Sequence, residues 1–299
     1  MNKRRKQSKL FKERSPIYVI IAVVLTIVTL AILIPLIWGI LQSIQDPEDL
    51  YNPIPFPLDW KFSNYVTAFE KFYVEVKGKG DEPNTYPTLI YMFGYSSLYA
   101  IGAAFLSTFV CCMVGYLTAR FDNVFSKILN VFVIIALALP IVGSLPSELQ
   151  IAKALGIYDK IYGVWFLKCH FISMYYLIFH ARFKSFSKAN EEAARIDGAN
   201  YFYIFFRIML PQVLPLFFTV FLLQFITFWN DYYTPMMFMP SYPTLAYGMW
   251  RFNTSTDNTI SSIPLKVTGC ILMLMPVLIL FIVFSKRLMA NLSAGGDKE

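Results

Sequence analysis

Charged side chains are scarce, at 15% of 299 residues, where a soluble domain of this size carries about 25%. With 57% hydrophobic residues, that scarcity excludes an ordinary globule. One core cannot hide so much apolar surface, so a bilayer must solvate part of it. Histidine is down to two residues, and no cluster of His, Asp and Glu or nucleophile–base set is visible, which argues against a membrane enzyme. The phosphate-loop pattern G-x-x-x-x-G-K-[ST] is absent: Gly78-Lys79 is followed by glycine, so the chain is not expected to hydrolyse ATP itself. Cys111, Cys112, Cys169 and Cys270 lie in apolar stretches without C-x-x-C spacing. They read as packing residues and say nothing about compartment. No internal repeat stands out.

What is present is long apolar sequence. Six runs, at 17–41, 89–117, 128–145, 161–179, 213–238 and 267–284, are each expected to cross about 30 Å of hydrocarbon as helix. The first exceeds a signal-peptide core and lacks a small-residue cleavage site, so it is read as a retained helix. The net charge of +7 does not point to nucleic acid, because seven of the 26 basic residues fall in the first fourteen positions. A basic block against an apolar run is a flank held by anionic lipid. Seventeen basic residues fall on that side of the six-span arrangement and eight on the other, which places both termini in the cytoplasm. The expected organisation is a basic arm 1–16, a transmembrane domain 17–288 and a tail 289–299, the whole an all-α membrane protein.

The outer loop 42–88 opens with Asp46, Glu48 and Asp49 and continues through Pro53, Pro55 and Pro57. Phe62, Tyr65, Phe69 and Phe72 then recur at helical spacing, suggesting a short interfacial helix. The polar stretch 77–87 is expected to be a mobile hairpin or loop tip. Ala103, Ser107, Cys111 and Gly115 repeat every four residues on the second span, a small-residue face for close helix packing. Pro140, Pro146, Pro211, Pro215, Pro235 and Pro276 imply kinked or broken helices.

The loop 181–211 differs from the rest. It reads as two short helices broken at Gly198, with Ser187 and Asn200 as N-caps and Gly198 as the left-handed residue after a helix end. Ala189, Ala193 and Ala194 offer close approach, among Glu191, Glu192, Arg195 and Asp197. The second helix is apolar and is expected to lie along the membrane surface until Pro211. Composition alone leaves two readings open, a docking element for another protein or an amphipathic connector.

The loop resembles the EAA loop of ATP-binding-cassette importer permeases, E-A-A, three residues, G, nine residues, I-x-L-P. Here the pattern falls on Glu192, Ala193, Ala194, Gly198, Ile208, Leu210 and Pro211. A narrower likeness, 228–235 with Trp229-Asn230-Asp231-Tyr232-Tyr233, is to carbohydrate permeases of the maltose type, as is the glycine-bearing tail. The resemblance implies a type I importer permease fold and a coupling helix at 191–198, including Glu191 and Asp197, seated in a cytoplasmic ATPase. It further implies a second homologous permease, two ATPase subunits carrying ATP and Mg, an extracellular solute-binding protein, and no cofactor on this chain. The implied cargo is a carbohydrate, an oligosaccharide or glycoside, moved by alternating access. A different solute, or a stand-alone secondary transporter, are the rival readings, although Asp231 and Lys168 are a thin supply of coupling charge.

Asp231 is placed inside the fifth span and Lys168 in the fourth, where an ion pair between them is one expectation. Lining the substrate path, or bonding helix backbone, are the alternatives for Asp231. Trp229, Tyr232 and Tyr233 either stack on sugar rings or anchor in the interface. Tyr247 and Trp250 are candidates for touching a delivering protein. His180 is expected to face headgroups, and His170 to be a lone buried imidazole without a second metal ligand.

Overall fold

The computed structural model describes residues 16–46, 59–78, 80, 82–139, 143–255 and 262–294. The basic arm, the acidic residues Glu48 and Asp49, the prolines at 53–57, Pro140 and the end of the tail lie outside them. Twelve helices occur among the described residues: α1 (Pro16–Ser43), α2 (Ser63–Lys71), α3 (Leu89–Arg120), α4 (Val124–Ala138), α5 (Leu145–Ala154), α6 (Ile161–Lys168), α7 (Met174–Lys184), α8 (Ala189–Ile196), α9 (Tyr201–Trp229), α10 (Tyr233–Phe238), α11 (Leu245–Thr254) and α12 (Ile263–Ala294). The remaining regular pairing is two isolated antiparallel bridges, Tyr73 with Thr88 and Val76 with Thr85, the arms of the hairpin expected near 77–87.

Among the described residues, four helices are long and apolar enough to cross a membrane: α1, α3, α9 and α12. The six expected spans are not all continuous helices. The third is the 15-residue α4, about 22 Å long. The fourth is split into α6 and α7. No proline lies in the 169–173 break. Side chains of α3 close it instead: Cys111 Sγ meets Ser173 Oγ at 3.2 Å and the His170 carbonyl at 3.7 Å. Backbone freed from a helix at membrane depth needs such partners.

The chain divides into two compact units, residues 1–68 with 256–271 and residues 69–255 with 272–299. In the first, α1 exposes apolar side chains along most of its length, and its end is tied by polar groups. Asn64 Nδ2 donates to the Ser43 and Gln45 carbonyls, each at 3.0 Å, and Thr268 Oγ1 donates to Ser43 O at 2.9 Å. This pins α2 and the start of α12 to the last turn of α1.

In the second unit α3 is central, touching α4, α6, α7, α9 and α11. Its small-residue face is buried as the spacing predicts. A Cβ on Gly115 would lie 2.9 Å from Phe179 Cβ of α7, so glycine there sets how near the two helices come. Tyr116, Tyr176, Phe179, Phe183, Phe205 and Phe217 fill the core between α3, α7 and α9. His180 does not face headgroups: its Nδ1 lies 2.9 Å from Thr118 Oγ1, which also accepts from Tyr176 Oη at 2.9 Å. His170 is exposed where a buried imidazole was expected.

The loop between α7 and α9 as candidate functional site

Local sequence builds the loop. After α8, Gly198 adopts φ +80°. Its N–H donates to Arg195 O at 3.0 Å, and Ala199 N–H to Ala194 O at 2.9 Å. The pair forms a Schellman closure, which requires a left-handed residue and therefore favours glycine. Asn200 Oδ1 accepts from Tyr203 N–H at 2.7 Å and caps α9 as expected. Ser187 is less regular, its Oγ accepting from Ala189 N–H at 3.3 Å while Lys188 stands at the cap position.

Beyond Asn200 the expected separate surface helix is absent. Residues 201–229 form one helix, with a π-turn at Ile204–Met209. The Leu210 N–H reaches back five residues to Phe205 O. Pro211 has no N–H to continue the α pattern, and the wide turn absorbs the mismatch. Ile208 and Leu210 are half-buried against the core, whereas Pro211 is exposed.

The charges of α8 do not form a uniform solvated rim. Glu191 is buried and lies against Arg120, the last residue of α3, with Nε 2.8 Å from Oε1 in a geometry that is an ion pair rather than a linear hydrogen bond. The two side chains are 3% and 7% exposed. The same guanidinium donates from Nη1 to Phe186 O at 3.0 Å and from Nη2 to Ser187 O at 3.1 Å. Glu192, Ala193, Asp197 and Gly198 are exposed, Ala194 half-buried, and Ile196 is 87% exposed. Arg195 lies over the Tyr201 ring at 4.7 Å, and that ring packs on Phe121 at 5.1 Å. A short helix thus offers small, acidic and apolar side chains outward from a fixed root. Beside the root, Lys127 meets Asp122 at 3.0 Å and holds its carboxyl below the ordinary range.

At the far end of α9 the structure corrects several expectations. Asp231 is not inside a helix. It occupies the break between α9 and α10, where Oδ1 accepts from Thr234 N–H at 3.0 Å and Oδ2 from Tyr99 Oη at 2.9 Å. No ion pair joins it to Lys168 among the described residues; the carboxylate is held by the Thr234 N–H and the Tyr99 hydroxyl instead. Asn230 Nδ2 donates back to Ile226 O at 2.8 Å, closing the helix end. Trp229, for which stacking on a sugar or anchoring in an interface was expected, is turned inward. It is buried, donates from Nε1 to Met273 O at 3.2 Å, and packs on Phe93 and Phe225. Tyr232 and Tyr233 are exposed, and Tyr232 stacks on Trp250 with 5.8 Å between centroids and 7° between planes. Tyr247 continues that stack at 6.4 Å. No group of three or more His, Cys, Asp or Glu is placed to hold a metal among the described residues.

With this helical membrane architecture and loop on hand, comparison with known proteins settles the class. Residues 111–294 match the family described as binding-protein-dependent transport system inner membrane component, and the chain belongs to that family. It is a multi-pass membrane transport component, not an enzyme, of a kind that works with an ATPase and a solute-binding protein. Among curated relatives, the maltodextrin transport system permease protein MdxG of Bacillus subtilis is 26% identical over 282 residues, covering 92% of this chain and 94% of its own. The diacetylchitobiose uptake system permease protein NgcG of Streptomyces coelicolor is 24% identical, over 88% and 83% of the two chains. A chain from the crystal structure of a bacterial ABC transporter that imports alginate superposes with a TM-score of 0.71. It is 22% identical, with 92% of this chain and 98% of that one covered, and it shares the fold.

Proposed function

We propose that this chain is the permease subunit of an ATP-binding-cassette importer for a carbohydrate, an oligosaccharide or glycoside, and that α8 is its coupling helix. In this reading it forms half of the translocation pathway in a bacterial plasma membrane, with both termini cytoplasmic and its arm against lipid. A second, homologous permease supplies the other half. Two cytoplasmic ATPase subunits carry ATP and Mg, none of it bound by this chain, and an extracellular solute-binding protein delivers cargo. Nucleic acid has no part.

The observation that carries the coupling role is α8 itself. A Schellman-closed helix with a buried root presents Glu192, Ala193, Ile196 and Asp197 outward. An 87%-exposed isoleucine beside small residues is a surface suited to a protein groove. Closure of the ATPase dimer on ATP would draw α8 and its counterpart together, and the bundle would convert that movement into outward opening. The carbohydrate assignment is supported by relatives named for maltodextrin, diacetylchitobiose and arabinooligosaccharides.

Purification from mild detergent tests the reading. The chain should emerge with an ATPase and a second permease, and a thermal-shift screen of the cognate binding protein should respond to sugars. Vesicles holding this chain alone, without nucleotide, that accumulate solute against a gradient would refute it.

A further inference from the structure

We propose that Arg120 is a positioning residue that makes α8 and α3 one rigid body, so that movement of α8 is delivered directly to the central helix of the bundle. The proposal rests on the coupling role given to α8 above.

Apolar packing alone is poorly suited to hold α8. The helix has eight residues, and of its apolar side chains Ala194 alone packs, partly buried, against the core. Alanine buries little area, so the hydrophobic contribution is small. What holds the root is the guanidinium of Arg120. Its three nitrogens engage three separate groups: the Phe186 carbonyl, the Ser187 carbonyl and the Glu191 carboxylate. A planar fork with fixed donor directions sets orientation as well as distance, which a lysine point charge cannot do. The first two groups belong to the strand of chain entering α8 and the third to its first turn, so one side chain clamps both.

Each charge sits where a helix favours it, Arg120 at the C-terminal end of α3 and Glu191 in the first turn of α8, the signs the helix dipoles stabilise. Tyr116, one turn before Arg120, packs on Phe121, Phe183 and Phe205 and walls the pair from water. In that dry setting separating the pair is costly, and the clamp resists opening under load. α3 in turn touches five other helices, so it distributes whatever displacement it receives.

The test uses the complete transporter in lipid, with its ATPase, partner permease and binding protein. Spin labels are placed at exposed positions on the two helices, A189C at the start of α8, outside the face given to the ATPase, and I90C on α3, with Cys169 and Cys270 replaced by serine. The label separation is measured nucleotide-free and after trapping with ATP and vanadate. With Arg120 and Glu191 intact, the separation should be the same in both states. In the isosteric E191Q variant, and in R120K, trapping should shift it or add a second population displaced by about 5 Å, one helical turn.

A wild-type separation that itself changes between states overturns the proposal, because the two helices then do not travel together. E191Q behaving as wild type overturns it too, even if its melting temperature falls, since that outcome marks a purely structural pair. If E191Q no longer copurifies with the ATPase, the pair serves assembly and the proposal fails. Failure of the underlying coupling role is distinguishable: the wild-type chain would then leave detergent without any ATPase.

Discussion

Replacement of Gly198 isolates backbone strain as a variable. The residue is left-handed, and a Cβ built on it meets nothing within 4 Å, so bulk is not the issue and conformation is. An L-residue in that region costs about 1–2 kcal/mol. Asparagine tolerates it best, and a β-branched residue is a marked outlier. The turn is held by two backbone bonds, from Gly198 to Arg195 and from Ala199 to Ala194, and by the Asn200 cap. At about 1 kcal/mol net for each, they supply about 3 kcal/mol in all. Alanine therefore consumes much of that, and valine, β-branched, consumes more. In proteoliposomes with the complete transporter, Gly198→Asn should couple uptake to ATP hydrolysis nearly as wild type does. Gly198→Ala should lose part of the uptake, by up to about tenfold for 1.4 kcal/mol, and Gly198→Val should hydrolyse ATP without uptake. All three should melt like wild type, because the turn lies outside the bundle core. Leucine, unbranched at Cβ, should follow alanine. Normal uptake by the valine variant, or equal loss with leucine and valine, would refute the strain argument.

Asp231→Ala removes the acceptor of the buried Tyr99 hydroxyl and of the Thr234 N–H and should lower stability by about 1–3 kcal/mol. Asp231→Asn retains one acceptor and should cost less in a detergent melt. A cycle pairing Lys168→Met with Asp231→Asn should be additive, whereas one pairing Tyr99→Phe with Asp231→Asn should show coupling of about 0.5 kcal/mol or more. Trp229→Phe removes the bond to Met273 and should reduce thermal stability while leaving the solute concentration for half-maximal uptake unchanged. Among glycines, Gly163→Ala should be destabilising because its Cβ would collide with the Ile157 carbonyl, whereas Gly94→Ala, inside α3 with nothing within 4 Å, should stabilise by up to about 1 kcal/mol; differential melting of the two variants checks this.

The features legible from sequence are local ones. Gly198 and Asn200 sit within a few residues of the groups they satisfy, so helix-stop and helix-start chemistry identifies them without a fold. The four-residue spacing from Ala103 to Gly115 likewise declares a packing face. What escaped was set by distant partners. The break at 169–173 contains neither proline nor glycine, and it is stabilised by Cys111, about sixty residues away in the chain. Glu191 looks like one more surface acid until Arg120, from another helix, is placed against it. Asp231 suggested pairing with the nearest basic residue at its expected depth, because a tyrosine hydroxyl is silent in charge-based reading. Trp229 illustrates the same limit: a tryptophan at a helix end reads as an interface anchor, and only the Met273 carbonyl shows where its indole points.

The wide turn at Ile204–Met209 governs azimuth. A π-turn carries one residue more than the α pattern needs, so deleting one residue from it would let the helix close with ordinary spacing and no unpaired backbone. The helix on either side would keep nearly its present bearing, because the surplus residue is taken up within the turn. Tightening the same residues to α without a deletion would instead rotate everything N-terminal to them by about 100° around the axis of α9. Glu191 would then leave the reach of Arg120, and the face of Ile196 would turn toward a different quarter. The width of this one turn thus fixes the compass bearing at which the loop addresses its partner.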